Sequence, residues 1–368
     1  MNHILKSKKT MKVLMLPDYS RSNPYQRELV RALGEYGVHV TLCSFNVLPL
    51  LRAIWAYGKP DILHLHWTDG FIVAGNWPKT ILKTLRFLIE LIVVQALGIK
   101  VVWTVHNLSN HEKINASYES FVNRILIHFY DQVIVHCSAA RKAAIQLYHL
   151  ADRFSRKVHI IPHGHYIDSY ENNMTRRNAR IKLDYDEDAI LFLFFGSIRP
   201  YKGIFELIDV FRKIENSKVR LLIVGRPSND ITKKELTDRC QIDDRIRTYL
   251  QYVPEDEIQI YMNAADVTVF PYTDILTSGS VLLAMSFGKA IVVPRIGCIS
   301  ETLDPQGSFL YDPNDVDGLS GAMQNALSGD LDAMGQYNRV IAEKFNWMKI
   351  AQLTLDVYSG STVDEQEA

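Results

Sequence analysis

The sequence has no excess of charge of either sign. Its 368 residues include 41 Lys and Arg against 41 Asp and Glu, a formal net charge of +0. A balanced surface exerts no long-range attraction on a polyanion. The composition therefore argues against a strongly basic nucleic-acid-binding protein, and no nucleic-acid partner is expected.

Cysteine is also scarce, and its positions carry no metal signature. The chain has 4 cysteines, which lack the short paired spacings of a zinc or iron–sulfur site. They are Cys43, Cys137, Cys240 and Cys298. We therefore expect no bound metal and no resident cofactor. Structural thiols in a reduced, cytoplasmic protein are the default expectation.

The sequence lacks a membrane-spanning run as well. The candidate stretch, residues 77–98, is too short and too interrupted to span a bilayer. It combines three basic residues with an apolar half that only Glu90 and Gln95 interrupt. A helix that covers a sheet explains most of this pattern. The alternative is a peripheral surface on which basic side chains meet anionic lipid and apolar side chains insert.

What the sequence does contain is an alternation of short apolar strands with helical patterns, in two series. The second series follows the polar segment 168–188, which has no sustained apolar run. Such alternation predicts parallel sheets covered by helices, an α/β fold. We therefore predict two domains, residues 1–168 and 169–346, followed by a C-terminal helix within residues 347–368.

A small-residue turn between a strand and a helix is a candidate anion site. Residues 265–270 form an apolar, partly β-branched run, and the apolar helix after the turn ends near Gly288. The turn supplies N-cap hydroxyls, a glycine that admits close approach and a helix N-terminus. We interpret it as a diphosphate pocket; an ordinary capped helix is the alternative. Its candidate residues are Tyr272, Thr277, Ser278, Gly279 and Ser280.

A second part of the predicted diphosphate site follows the apolar strand at 189–195. Residues 196–203 begin and end with glycine and place two cations three positions apart, before a helix. A guanidinium fork and an ammonium near a helix N-terminus can hold a leaving diphosphate. A solvated turn with two surface cations is the alternative. The candidate residues are Gly196, Ser197, Arg199, Lys202 and Gly203.

Seven short segments, in chain order, resemble the motifs of family-4-like, nucleotide-sugar-dependent glycosyltransferases with the GT-B fold. Residues 196–203 resemble their Gly…Lys-Gly loop, and residues 264–271 resemble their Ala-Asp…Pro segment. Each motif is weak alone, but their shared order across nearly the whole chain is specific. The other matching segments are Val105 to Asn107, Ile160 to Gly164, Ala284 to Lys289, Gly297 to Glu301 and Phe345 to Trp347.

The resemblance implies two Rossmann-like, doubly wound domains that face a cleft. The nucleotide-sugar donor would bind the C-terminal domain, and a saccharide or lipid-linked acceptor the N-terminal one, on which the last helix packs back. Arg226 and Glu301 join the expected donor contacts, and His106 is expected near the transferred sugar. His66 and Trp67 lie at a strand end that is similar to that of bacterial polysaccharide β-mannosyltransferases. They are expected to bind the acceptor.

The implied reaction moves a sugar from a nucleotide diphosphate, GDP-mannose or a UDP-sugar, without a metal. It requires that an acceptor hydroxyl lose its proton and that the leaving group be neutralised. If the configuration at the anomeric carbon inverts, a base must lie in the N-terminal half and face the cleft, and loops after strands offer such positions. Asp18, Asp69 and His106 are the candidates; for each alone, capping or turn duty is the alternative.

The sequence departs from the family pattern in its first loop, in the position of the loop arginine and, above all, in an acidic pair. The acidic pair of the family, eight residues apart, falls on Ile275 and Leu283 here. A non-catalytic nucleotide-sugar-binding protein and an epimerase of the same fold therefore stay open as alternatives. The expected location is cytoplasmic, and peripheral at the inner face of the membrane if residues 77–98 bind lipid.

Overall fold

The computed structural model describes residues 10–108, 115–151 and 155–361. The chain divides into two compact units. The N-terminal unit is Met1–His163 together with Trp347–Ala368, and the C-terminal unit is Gly164–Asn346.

The second unit begins at Gly164, before the polar segment that suggested a boundary after residue 168. The reason is backbone hydrogen bonding within the second unit. The N–H of His165 donates to the carbonyl of Phe345 at 3.1 Å, and the N–H of Tyr166 donates to Ser286 Oγ at 2.9 Å. Residues 164–168 therefore already belong to the C-terminal unit, although the polar segment begins only at residue 168.

The described part of the N-terminal unit is built on strands β1 to β6 and the helices that connect them. The strands are β1 (Lys12–Leu16), β2 (His39–Leu42), β3 (Ile62–Leu65), β4 (Lys100–Thr104), β5 (Gln132–Val135) and β6 (Val158–Ile160). The helices are α1 (Pro24–Glu35), α2 (Pro49–Tyr57), α3 (Asp69–Ile72), α4 (Trp77–Ala96), α5 (Ala116–Leu126) and α6 (Ser138–Leu147).

These strands form one parallel sheet in the order β2-β1-β3-β4-β5-β6. The carboxyl ends of β3 to β6 therefore lie side by side at the same end of the sheet, where ligands bind in such folds. The sequence pattern favours a third strand through Trp67, but β3 ends at Leu65. The chain leaves the sheet there, and Trp67 adopts a φ of +20°.

The described part of the C-terminal unit has the same design. Its strands are β7 (Ile190–Phe195), β8 (Val219–Val224), β9 (Ile246–Tyr249), β10 (Val267–Val269), β11 (Ala290–Pro294) and β12 (Ser308–Tyr311). Its helices are α7 (Arg176–Leu183), α8 (Ile204–Phe211), α9 (Asp230–Cys240), α10 (Ile258–Ala264), α11 (Gly279–Ser286), α12 (Ile299–Thr302), α13 (Gly318–Ala326) and α14 (Leu331–Glu343). The parallel sheet has the order β12-β11-β10-β7-β8-β9.

Strand β7 shows why its sequence is apolar at every position. Successive side chains of a strand point to opposite faces, and both faces of this central strand are covered. Leu191 and Leu193 enter the core cluster on one side, whereas Phe192 and Phe194 enter the cluster on the other. The predicted α/β class, with helices over parallel sheets, is confirmed in both units.

The last helix, α15 (Trp347–Ser359), lies in the N-terminal unit and packs against α1. Trp347, Ile350 and Val357 enter the same core cluster as Tyr25 and Leu29 of α1. Burial of these side chains removes apolar surface from water, which holds the chain terminus on this unit.

Helix α4 buries one face, as a sheet-covering helix must. Its buried side chains include Glu90, which the sequence pattern shows only as an interruption. Glu90 Oε1 accepts the backbone N–H groups of Leu50 and Leu51, both at 2.9 Å, in the first turn of α2. Burial raises the pKa of Glu90 to about 7. The carboxyl group is buried on α4 because the first turn of α2 has backbone N–H groups without a partner in their own helix, and Glu90 accepts them.

Candidate functional site

The loop between β7 and α8 is shaped by its two glycines. Gly196 has a φ of +131° and Gly203 a φ of +66°, values that strongly favour glycine. A methyl group on Gly196 would lie 2.7 Å from Ser280 Oγ and 3.2 Å from Lys202 Nζ. Because Gly196 has no side chain, the Ser280 hydroxyl and the Lys202 ammonium can both lie close to its Cα.

Lys202 is a buried cation that no carboxylate neutralises within the residues the structure describes. Its side chain is only 6% exposed, and its ammonium lies 5.6 Å from the centre of the Tyr272 ring. Burial, together with the nearby charge of Arg199, lowers the pKa of Lys202 to about 8. An unpaired buried ammonium costs free energy, and a bound anion would offset that cost.

Two serines at the start of α11 have different environments. Ser278 is the N-cap: its Oγ accepts the N–H of Val281 at 3.3 Å and lies 2.9 Å from Tyr272 Oη. The Ser278 hydroxyl is therefore already hydrogen-bonded to the helix backbone and to Tyr272. Ser280, in the first turn of α11, also hydrogen-bonds to Tyr272, but its hydroxyl faces Gly196. Of the two hydroxyls, that of Ser280 is the better placed to meet an anion beside Lys202.

The remaining predicted donor residues divide by exposure. Arg199 is partly exposed and near enough to Lys202 to affect its pKa. Gly203 packs so closely that a methyl group on it would lie 1.9 Å from the carbonyl oxygen of Pro271. Thr277 and Gly279 are partly exposed at the start of α11, whereas Ser197, Arg226 and Glu301 are exposed. Contact of these residues with a donor stays a prediction.

The two positions that depart from the family pattern have packing roles. Leu283 is buried within the core cluster on one face of the C-terminal sheet, and Ile275 packs against the same cluster. Neither position supplies a polar group to the loop site. The prediction that a leaving diphosphate is neutralised here therefore depends on the cations and the turn described above.

A cluster of histidines lies beyond the carboxyl ends of the N-terminal strands. His66 follows β3, His106 follows β4, His136 follows β5 and His163 follows β6. The ring of Tyr25 contacts all four imidazoles, with centroid distances between 4.8 and 5.8 Å. The order of the strands in the sheet, rather than closeness in sequence, brings these side chains together.

Trp67 lies against this cluster. Its ring is stacked on His106 at a centroid distance of 4.1 Å and an interplanar angle of 12°. It is partly exposed and also contacts Tyr19 at 5.3 Å. Aromatic rings at binding sites offer a flat apolar face to a ligand. The structure therefore brings His66 and Trp67, predicted to bind the acceptor, together with His106, predicted to lie near the transferred sugar. The roles of all three stay predictions.

The buried imidazoles are neutral near pH 7. Burial, reinforced by the other histidines, lowers the pKa of both His66 and His106 well below 6.5. Burial lowers the pKa of His136 to about 4. Sequence analysis did not single out His136, although the available signal was the same as for His66: a histidine directly after a buried strand.

The two carboxylate candidates have different surroundings. Asp18 Oδ1 accepts the backbone N–H of Ser20 at 2.9 Å and its hydroxyl at 2.6 Å, the turn duty considered as the alternative. Asp69 begins α3, and burial raises its pKa although nearby N–H groups and Lys83 act in the opposite direction. The geometry thus gives Asp18 a structural task, and catalysis by either residue stays untested.

Three further observations concern metals, membranes and thiols. The described residues contain no group of three or more His, Cys, Asp or Glu side chains that could hold a metal ion. In that same part of the chain, every helix is too short or too polar to cross a bilayer. Cys43 and Cys240 are buried free thiols.

Comparison with known proteins identifies the class of this chain. Residues 175–344 match the family model described as glycosyl transferases group 1. The GDP-mannose:glycolipid 4-beta-D-mannosyltransferase of Xanthomonas campestris pv. campestris is 28% identical over 346 residues, which cover 92% of this chain and 88% of that protein. The chain is a glycosyltransferase.

Solved structures place this glycosyltransferase in the GT-B fold, as predicted. Sucrose-phosphate synthase from Thermosynechococcus elongatus has a TM-score of 0.74 at 17% identity, over 96% of this chain and 99% of that one. HepE from Anabaena, solved with UDP and glucose, has a TM-score of 0.74 at 18% identity, over 95% of this chain and 100% of that one. At such identities the likeness shows the fold alone.

Proposed function

We propose that this glycosyltransferase transfers mannose from GDP-mannose to the sugar of a lipid-linked acceptor, at the cytoplasmic face of a membrane. The observation that carries the proposal is the buried, unneutralised ammonium of Lys202 beside Ser280 Oγ and the start of α11. An ammonium, a hydroxyl and a helix N-terminus together suit a diphosphate. The choice of mannose and glycolipid is supported by the activity of the Xanthomonas relative, which aligns with 92% of this chain.

In this proposal the two units divide the substrates. The loop of the C-terminal unit, with Arg199 and Lys202, neutralises the leaving diphosphate, so that no metal is needed. The N-terminal unit receives the acceptor on His66 and Trp67. The proximity of both residues to His106 supports this assignment.

The test is an assay of nucleotide release and sugar transfer in the presence of EDTA. The purified enzyme is incubated with GDP-mannose, UDP-glucose or UDP-galactose and a panel of synthetic lipid-linked saccharides. Release of GDP with formation of a mannosylated lipid is the expected result. Turnover with UDP-sugars but not with GDP-mannose would show that the donor is a UDP-sugar. Interconversion of sugars without transfer would favour the epimerase, and saturable binding without either reaction would favour a binding protein.

Donor affinity is expected to fall as pH rises above about 8. The pKa of Lys202 is about 8 in the free protein, so the ammonium is present below this pH and is lost above it. A bound diphosphate raises the pKa of its cationic partner, and between the two values the dissociation constant of GDP should rise by up to about tenfold per pH unit. Calorimetric titration from pH 6.5 to 9.5 measures this dissociation constant. The Lys202→Arg variant, whose charge persists, should show a flatter profile; an equally flat wild-type profile would contradict the assignment.

The membrane part of the proposal is supported by the uncovered face of α4. Ile81, Leu85, Ile89 and Ile92 recur at helical spacing, each between 47% and 58% exposed. Trp77 begins the same helix and is also exposed. A soluble surface seldom leaves such a stripe uncovered, and an interfacial helix inserts one into lipid. We therefore assign this face to the membrane that carries the acceptor.

Replacement of Leu85 and Ile89 by glutamate is expected to abolish binding to anionic vesicles. The exchange puts two carboxylates on the inserting face, where both desolvation and lipid charge oppose binding. Flotation with vesicles of phosphatidylglycerol and phosphatidylcholine measures the bound fraction. The matched control is Ile231→Glu with Val316→Glu, two exposed apolar residues of the C-terminal unit, and it should float like wild type. Equal flotation of all three proteins, or of none, would refute this assignment.

A further inference from the structure

The histidines of the N-terminal unit form a hydrogen-bonded series. His66 Nδ1 lies 3.0 Å from His106 Nε2, and His106 Nδ1 lies 3.3 Å from His136 Nε2. The series ends at a backbone group, because His136 Nδ1 lies 3.0 Å from the carbonyl oxygen of Ile161. All three side chains are buried.

The carbonyl at the end of the series sets the direction of every hydrogen bond in it. A carbonyl oxygen only accepts, so His136 Nδ1 carries the hydrogen. In a neutral ring the other nitrogen is then an acceptor, and His136 Nε2 accepts from His106 Nδ1. By the same rule, His106 Nε2 accepts from His66 Nδ1. Each of the three rings is therefore the tautomer with its hydrogen on Nδ1.

This direction leaves one lone pair without a partner. His66 Nε2 is unprotonated, and it is a buried nitrogen with no hydrogen-bond partner in the described structure. The side chain of His66 is 0% exposed. A buried acceptor left unsatisfied costs free energy, and such an atom calls for an explanation, one of which is a ligand that supplies the missing donor.

We propose that His66 Nε2 is the base that takes the proton from the acceptor hydroxyl, and that His106 and His136 are positioning residues that hold His66 in the required tautomer. The inference rests on the proposed function and adds to it the identity of the base. Both nitrogens of His106 are used within the series, whereas His66 presents a bare nitrogen.

The proposed step is a direct displacement. The O–H bond of the acceptor breaks and its proton passes to His66 Nε2, while the oxygen forms a bond to the anomeric carbon. The bond from that carbon to the diphosphate breaks, and its electron pair leaves on the diphosphate, whose charge Lys202 balances. The positive charge on His66 can move as far as His136, because the Nδ1 protons of His66 and His106 already point at the next imidazole nitrogen.

Trp67, the other residue that is predicted to bind the acceptor, lies beside this base. Its ring lies 5.6 Å from that of His66, is stacked on His106 and is itself partly exposed. A sugar that packs on or replaces this ring would bring a hydroxyl to the base. The expected acceptor contacts of Trp67 and the lone pair of His66 thus belong to one site.

Nuclear magnetic resonance of the enzyme labelled with nitrogen-15 histidine tests the tautomers without activity. Signals are assigned by their loss in His66→Gln, His106→Gln and His136→Gln. At pH 7 we expect all three rings to carry hydrogen on Nδ1, with an unprotonated Nε2 in His66. A hydrogen on His66 Nε2 would overturn the proposal.

Steady-state kinetics of His66→Gln tests the base. Glutamine can accept a hydrogen bond near the position of Nε2 but cannot take the proton, so kcat should fall about 10²- to 10⁴-fold with the acceptor KM within about threefold. His136→Gln should lower kcat less and alter the His66 tautomer. His159→Gln, a buried histidine of the same sheet outside the series, should keep wild-type kcat. Wild-type kcat in His66→Gln would refute the base, whereas absence of transfer by the wild type would refute the proposed function and leave the tautomer result standing.

Discussion

Replacement of Lys202 by methionine is expected to lower kcat/KM for the nucleotide sugar about 10²- to 10³-fold, the usual effect of removing one charge-stabilising donor. Methionine keeps most of the apolar stem and removes only the ammonium. The same change should leave the fold at least as stable as wild type. The buried ammonium is not paired with a carboxylate within the described residues, so its removal relieves a desolvation cost.

The combination of lost activity and retained stability is what distinguishes a donor-binding residue from a structural one. Initial rates at varied donor concentration and the midpoint of thermal unfolding measure the two quantities. Lys233→Met, which removes an exposed lysine of α9 in the same unit, is the control and should change neither. A Lys202→Met enzyme with wild-type kcat/KM, or one that loses activity only because it unfolds, would contradict the assigned role.

Replacement of Gly203 by alanine is expected to lower the free energy of unfolding by about 2–5 kcal/mol, the sum of left-handed backbone strain and a backbone collision. The added methyl group would lie 1.9 Å from the carbonyl oxygen of Pro271. Neither partner is the end of a flexible side chain, so the loop must shift as a whole. Because this loop also positions Lys202, donor binding should be lost along with stability.

Gly288→Ala is the matched control for this collision. Gly288 has a φ of +63°, against +66° for Gly203, but the nearest atom to its added methyl group is 3.5 Å away. The control therefore reports backbone strain alone, about 1–2 kcal/mol. Urea denaturation with a spectroscopic probe in the C-terminal unit measures both variants. Equal destabilisation of the two would show that the loop does not pack against Pro271 as described.

The local parts of the site could be predicted from the sequence because their causes are local. The glycines at 196 and 203 were expected in an open turn, and both have positive φ. The sequence offers Thr277, Ser278 and Ser280 as possible N-caps of α11, and Ser278 takes that position. The sequence pattern does not show which serine caps the helix and which faces the loop, or which of Lys202 and Arg199 is buried. Burial and direction distinguish these pairs, and both depend on what packs around the loop.

The fold class follows from sequence alone, because apolar strands, N-cap residues and glycines act over a few neighbouring positions. The sequence also points to the candidate donor loop, whose two cations and two glycines lie within eight consecutive residues. The histidine series, in contrast, depends on tertiary structure. His66 and His106 are 40 positions apart, and His106 and His136 are 30 apart. They meet because β3, β4 and β5 are neighbours in the sheet, and the carbonyl of Ile161 then sets which nitrogen of each ring carries the hydrogen.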